Sequence, residues 1–426
     1  MRNLIKATSF WASLVCLPSL SFAGESDVAP TASHDLGQLI ASAIQNYPDL
    51  EALRGRMQVG IAKEGDLSWW DSPEMRLGYG RDTNVDSKFE SSEHPNHQYD
   101  ASLRVFPRNP WERRATHQKF QSETHLNDLA LQMGEQQLTA QVKDSYWELT
   151  YLSAEAAMHE EVLSIYKEQG EGMQTLLDNG QITVSQSLPS QMKQLDAVLE
   201  MDAYQRAISN KLNELALLSG VEKTLIRSSQ PRQLTQGAFI FAYDSWEQRA
   251  LDHRLELKNG KGALAYTEAE LKVLRAKDLP WVKHLAAGYR ARNDYGDRDS
   301  AAVEVAIDLP FFVSDNGAKA AAQSTLNSQR RQLAQNIAMI RAEVRSLADQ
   351  FRSLKKEWSA MDSDIVPLMD ALSESIKLMK QQQALSNRNY WDARIALLEL
   401  SKKKLQMAHS YQKLLLKAER VLGQSL

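Results

Sequence analysis

The chain has 426 residues, 50 basic against 54 acidic side chains, a formal net charge of −4 and 43% hydrophobic residues. This balance leaves no basic footprint for nucleic acid. Its single cysteine, Cys16, lies in a segment expected to be removed, so disulfides and thiol chemistry are excluded from the exported chain.

Residues 1–23 read as a secretory signal. Arg2 and Lys6 precede an apolar core at 7–20, and Ser21-Phe22-Ala23 supplies a small-x-small cleavage site before Gly24. Leu17-Pro18-Ser19-Leu20 carries the signal on past Cys16, which disfavours lipidation there. No apolar run of about 18 residues follows, so a membrane form would have to be a closed barrel of strands.

The remaining chain reads as two copies of one unit, at 24–222 and 245–426, joined by a Ser-, Gln-, Pro- and Gly-containing connector at 223–244. The first unit is predicted as helix 36–67, strands 75–81 and 98–106, long helix 111–178 and helix 187–219. The second repeats that order at 246–277, 284–292, 301–309, 318–385 and 390–422. "SPEMRLGYGR" (72–81) matches "VKHLAAGYRA" (282–291), and "YDASLRVFPRNP" (99–110) answers "VEVAIDLPFFVS" (303–314). Pro107 to Gly220 and Pro310 to Gly423 each span 113 positions.

In the second long helix, Leu333, Ile337, Ile340, Val344, Leu347, Phe351, Leu354, Trp358, Met361, Ile365, Leu368 and Leu372 alternate spacings of 4 and 3. This is a coiled-coil seam, with Pro367 marking a kink or break. Leu131, Leu138, Val142, Leu149 and Leu152 give the first half a looser version.

All four strands alternate apolar with polar or small residues. In the fourth, Val303, Val305, Ile307 and Leu309 form the candidate lipid-facing row, interleaved with Glu304 and Asp308. Four strands are too few to close a membrane barrel of about eight or more, and open edges are not tolerated in lipid. Two copies would give eight strands and three would give twelve. Polar, turn-rich loops at 82–96 and 293–299 suit the outer surface. His94 and His97 in one of them lack a third ligand and make a poor metal site, so no metal or other cofactor is expected.

In this order and spacing the chain resembles the TolC family of outer-membrane efflux channels over essentially all of its mature length. The resemblance rests on the signal, the duplication, "AIQNYPDLEALRGRM" (43–57), "AIDLPFF" (306–312) closing the fourth strand, and "LALLSG" (215–220) closing the first half. It implies a mainly α fold with a membrane β-barrel portion. Three chains would contribute four strands each to a twelve-stranded barrel in the outer membrane of a Gram-negative bacterium, continuous with a periplasmic α-helical barrel. It implies a passive homotrimeric duct that serves an inner-membrane pump through a periplasmic adaptor, and no enzyme. Consistently, the chain has no GxSxG, HExxH or phosphate-binding glycine loop. The competing arrangement is a periplasmic coiled-coil scaffold or adaptor with a small soluble sheet, against which the fourfold alternation argues.

The family's hairpin tips carry a Gly-x-x-Ser/Thr-x-x-Asp pattern that meets the adaptor. The corresponding residues here are Gly180, Thr183 and Gln186, and Gln383, Ser386 and Asn389. The second set lacks the glycine and both replace the acid with an amide. Asp392 matches a position where the family places an inward carboxylate, which in three copies would form an anionic gate ring. Read from its neighbours alone, Asp392 is a carboxylate on a solvated helix face, paired with Arg388 or Arg394.

Overall fold

The computed structural model describes residues 35–82, 96–227, 245–292, 299–309, 316–381 and 388–424. The signal at 1–23, His94, Gln383 and Ser386 lie outside the described residues, as does most of the connector.

Two helices open the first half, α1 (Leu36–Asn46) and α2 (Pro48–Gly65). The single helix expected at 36–67 breaks at Tyr47, which takes φ −75° and ψ 121°. Pro48 forces this, because a proline ring disfavours helical backbone in the residue before it and suits the first position of the next helix. Strands β1 (Trp70–Asp82) and β2 (Asn96–Pro107) follow, then α3 (Pro110–Asp178), α4 (Val184–Ser219) and the short α5 (Lys223–Arg227). With 69 residues, α3 is about 100 Å long.

The second half presents α6 (Trp246–His253) and α7 (Leu255–Ala276), broken at Arg254 where one helix was expected. It continues with β3 (Trp281–Arg292), β4 (Ser300–Asp308), α8 (Asn316–Ala360), a π turn (Met361–Ile365), α9 (Val366–Gln381) and α10 (Arg388–Leu422). Among the described residues no helix is long and apolar enough to cross a membrane.

The two halves close alike. Gly220 ends α4 at φ 67° and Gly423 follows α10 at φ 72°, a left-handed conformation that costs glycine little. A Cβ on Gly220 would meet Asn46 at 3.4 Å, beside the α1–α2 break, and one on Gly423 would meet the His253 carbonyl carbon at 3.0 Å, beside the α6–α7 break. Each terminal glycine thus packs against the kink in its own half.

The core is split between the halves as well. Trp246, Leu257, Val344, Leu347, Phe351 and Leu422 are buried together in the second half, with the Trp246 and Phe351 rings edge-on at 5.4 Å. Leu39, Leu50, Leu138, Val142, Leu215 and Ile226 form the counterpart in the first half. Each fully buried side chain of this size contributes about 1.5–3 kcal/mol.

Along the seam in the second long helix Ile340, Val344, Leu347, Phe351, Leu354 and Met361 are buried and Trp358 is half-buried, after which the row changes. The π turn inserts one extra residue ahead of Pro367, rotating everything after it around the helix axis. Leu368, expected in the seam, is therefore exposed, while Leu372, also expected there, is half-buried together with Val366, Met369 and Ile376.

Candidate functional site

All four strands form one antiparallel sheet in the order β1-β2-β3-β4. β1 and β3 are longer towards the helices than the alternation predicts: β1 begins at Trp70 and β3 at Trp281, before bulges between Asp71 and Glu74 and between Val282 and His284. β4 ends at Asp308, so Leu309 stands one residue past it. Asn109 ties the sheet to the helices. Its Oδ1 accepts from the Trp111 and Glu112 amides at 3.0 and 3.3 Å, capping α3, and its Nδ2 donates to the Ala276 carbonyl at the end of α7.

The register separates two faces. On one, the cross-strand rows are Met75-Leu103-Ala287-Val303, Leu77-Ala101-Tyr289-Ala301 and Val105-Leu285-Val305. No charged residue falls in these rows, yet Val303 is 82% and Leu77 74% exposed. On the other face the rows are Glu74-Arg104-Ala286-Glu304, Arg76-Ser102-Gly288-Ala302 and Gly78-Asp100-Arg290-Ser300. His284 lies 3.2 Å from Glu304 on that polar face.

Aromatic residues mark both ends of the apolar face. Tyr79 and Tyr99 lie at the loop end with ring centroids 5.4 Å apart, and the Tyr79 hydroxyl is 2.7 Å from His97 Nδ1. At the helix end this is Trp70, which pairs with Pro107 and is more than half exposed, as are its neighbour Trp69 and Trp111 at the start of α3; Trp281, against which Trp111 packs edge-on at 5.6 Å, pairs with Asp308 on the polar face. From Trp70 to Tyr79 a strand runs about 30 Å. Tilted about 40°, it rises about 23 Å, close to the apolar band of about 25 Å in membrane barrels.

At the far end of α3 the chain reverses. Gly180 has φ 69°; its N–H donates to the Leu177 carbonyl and the Gln181 N–H to that of Leu176, both at 2.9 Å. These are the two bonds of a Schellman ending. The Thr183 N–H then donates to Gln186 Oε1 at 2.8 Å, opening α4 with the glutamine arm of a capping box. Gly180, Thr183 and Gln186 thus build one exposed turn, and an amide in place of the family's acid still accepts the capping bond.

Below this turn, α4 carries Val184, Leu188, Met192, Leu195 and Leu199 at spacings of 4, 4, 3 and 4, each 48–64% exposed. Such spacing signals a helix-packing stripe, and it was legible in the sequence. Sequence reasoning followed the long helices and passed over both this stripe and the Trp69-Trp70 pair at the start of β1.

Asn389 and Asp392 are exposed at the start of α10. Two residues on, Arg394 reaches Glu168 and Glu161 of α3 at 3.4 and 3.8 Å. Burial, followed by the carboxylates of Glu399, Glu200 and Asp392, holds the Tyr166 hydroxyl above its usual pKa.

A ladder of polar contacts joins α3 and α10, and Lys402 also reaches the Tyr204 hydroxyl of α4 at 3.2 Å. Lys413 and His409 meet Glu148 at 2.9 and 3.2 Å, and Lys402 meets Glu155 at 2.9 Å. Burial works against the Lys402 charge, but Glu155 and Tyr204 outweigh it and raise the pKa. Burial and the Glu155 carboxylate push the Tyr151 hydroxyl up to about 12. Among the described residues no cluster of three His, Cys, Asp or Glu could hold a metal ion.

Comparison with solved structures places this architecture. The chain is similar to the outer-membrane protein VceC of Vibrio cholerae, with a TM-score of 0.70 and 17% identity over 92% of this chain and 96% of that one. It resembles the CmeC outer-membrane channel of Campylobacter jejuni at 0.71 and 13%, over 95% and 90%. It is also similar to CusC, whose structures concern transmembrane channel formation, at 0.69 and 18%, over 92% of each chain. No family model matches the chain, and neither does any curated protein. At these identities the likeness is one of fold: the helical body with a four-stranded sheet found in outer-membrane channel proteins.

Proposed function

We propose that the chain is one third of a passive outer-membrane duct of a tripartite efflux or export system. The carrying observation is the sheet. One face is apolar and exposed over the height of a bilayer, the other is charged, and among the described residues β1 and β4 leave both edges open. A soluble monomer rarely exposes an apolar patch of this extent, and a sheet edge cannot stay unpaired in lipid.

Self-assembly meets both demands at once. In a closed ring β4 of one copy pairs with β1 of the next, three copies give twelve strands, and the polar faces line a water-filled lumen. Val303, Val305, Ile307 and Leu309 then face lipid. The α4 stripe meets a neighbouring copy, the hairpin tips at Gly180, Thr183, Gln186, Gln383, Ser386 and Asn389 offer contacts to a periplasmic adaptor, and Asp392 forms the gate ring. Solved outer-membrane channels with this fold support the reading.

Membrane fractionation of the mature protein tests it. A trimer that stays in the membrane pellet after high-salt washing and needs detergent for extraction is expected. A protein released without detergent as a monomer contradicts it, leaving a soluble scaffold.

A further inference from the structure

The exposed row on α4 has a counterpart on α9. Leu368, Ala371, Ser375 and Leu378 follow one another at spacings of 3, 4 and 3, and all but the half-buried Ser375 are exposed. α9 lies against α10, yet none of its 16 residues is buried. The extra residue of the π turn sets Leu368 in this row instead of in the seam.

The two rows lie on opposite flanks of the helical body. α4 packs on α3, α3 on α10 and α10 on α9, so two helices stand between α4 and α9. The rows also lie at one level. α3 runs from Pro110 to Asp178 and the α8–α9 rod from Asn316 to Gln381, so both reach nearly the same distance from the sheet. Leu188 stands 4 residues from Val184 at the tip end of α4, and Leu378 stands 3 residues from Gln381 at the tip end of α9, about 6 and 5 Å along their helices. Farther from the tip, Leu195 falls level with Ala371 and Leu199 with Leu368. Beyond these leucines both rows turn charged at the same height, at Asp202 on α4 and Asp364 in the π turn.

We infer that α9 of one copy docks antiparallel along α4 of the next copy, with Leu188 on Leu378, Leu195 on Ala371 and Leu199 on Leu368. Arg206, exposed one turn past Asp202, then stands beside both carboxylates at the upper end of the contact. The direction agrees with the sheet. β1 and α4 belong to the first half and β4 and α9 to the second, so closing β4 on the next copy's β1 carries α9 towards that copy's α4. Such a contact joins two different surfaces and closes into a ring. It rests on the ring-assembly reading above and names the surface that covers the α4 stripe.

Cysteine cross-linking of the full chain in a Cys16→Ser background tests it. A disulfide needs Cβ atoms about 4 Å apart, and the two helices between α4 and α9 put a bond within one chain out of reach. Leu195→Cys with Ala371→Cys should give covalent dimers and trimers on non-reducing gels after mild oxidation. Leu199→Cys with Leu368→Cys should do the same and serves if the first pair disturbs folding. Leu195→Cys with Asp370→Cys, one residue off the row, should lose the ladder, and Leu195→Cys alone should stay monomeric on the gel. A trimer that conducts in planar bilayers but shows no ladder with either row pair would overturn the docking and leave the channel reading intact. So would a ladder from Leu195→Cys alone, which would put α4 against α4. A wild-type protein that forms neither trimer nor pore would sink the channel reading and this inference with it.

Discussion

Arg290 and Asp100 stand 190 positions apart, yet Arg290 Nε donates to Asp100 Oδ1 at 2.5 Å across the β2–β3 pairing. Gln98 adds its amide to the same carboxylate. The contact joins the two halves of the chain on the polar face of the sheet. Because both partners are well exposed, it adds only about 0–1 kcal/mol to stability. In the proposed barrel its larger effect is on the charge facing the lumen. Asp100→Asn should leave trimer yield unchanged while shifting the reversal potential in a salt gradient towards anions. An unaltered reversal potential would place this face away from the conduction path.

Val305 and Glu304 are adjacent but point to opposite faces. Val305→Arg should impair membrane assembly by about 2–4 kcal/mol if it sits near mid-bilayer. Glu304→Gln should assemble normally. Heat-modifiable mobility of the trimer on gels distinguishes the two, and equal tolerance would return the sheet to a soluble role.

The α4 stripe makes a prediction for the helical body. Leu195→Glu should reduce recovered trimer severalfold, whereas glutamate at Lys193, on the same helix but outside the stripe, should not. Size-exclusion chromatography with light scattering in detergent gives the readout. Equal effects at both positions would mean that no neighbouring copy covers this row.

At the hairpin tip the cost is conformational. A Cβ on Gly180 meets nothing within 4 Å, so Gly180→Ala should lose only the backbone term, about 1 kcal/mol. Gln186→Ala removes the acceptor for the Thr183 amide at about 0.5–1.5 kcal/mol. Faster amide exchange confined to the tip is the expected signature; global destabilisation would show that the turn does more than end two helices.

His409 introduces a pH dependence. The ring stacks on Tyr151 at 4.1 Å between centroids, and neither nitrogen makes a hydrogen bond in good geometry. Burial and the Lys413 charge hold its pKa below 6.5, against the pull of Glu148 and Asp144. Burial would raise the Glu148 pKa, but Lys413 and then His409 outweigh it, keeping that carboxyl low. The ring is therefore neutral in the native state at neutral pH. As pH falls through about 6.5 the unfolded chain takes up the proton first, and native stability declines down to the lower native pKa. Thermal melts between about pH 7.5 and 5.5 should show this slope in wild type and a flatter one in His409→Phe. Identical slopes would assign the acid sensitivity to other groups.

Much of this was legible because period and punctuation survive in sequence. The alternation of Val303, Val305 and Ile307 and the bounds of α3 follow directly from residue pattern. Four features escaped for physical reasons. The break at Tyr47 depends on one proline overriding an otherwise helical stretch, and the break at Arg254 has no proline to announce it. The π turn at Met361–Ile365 shifts the seam by one residue without changing composition, so Leu368 reads as core and lies outside. The early start of β1 was hidden by its bulge, which interrupts alternation between Asp71 and Glu74. At the tip, the pattern located the turn, but only the backbone shows that Gln186 serves as a cap.

The most direct test of the central claim is conductance. Purified mature protein added to planar lipid bilayers should insert as long-lived pores with stepwise currents, and Val305→Arg should abolish insertion. A wild-type protein that leaves the bilayer silent, while remaining folded and helical, would contradict the account.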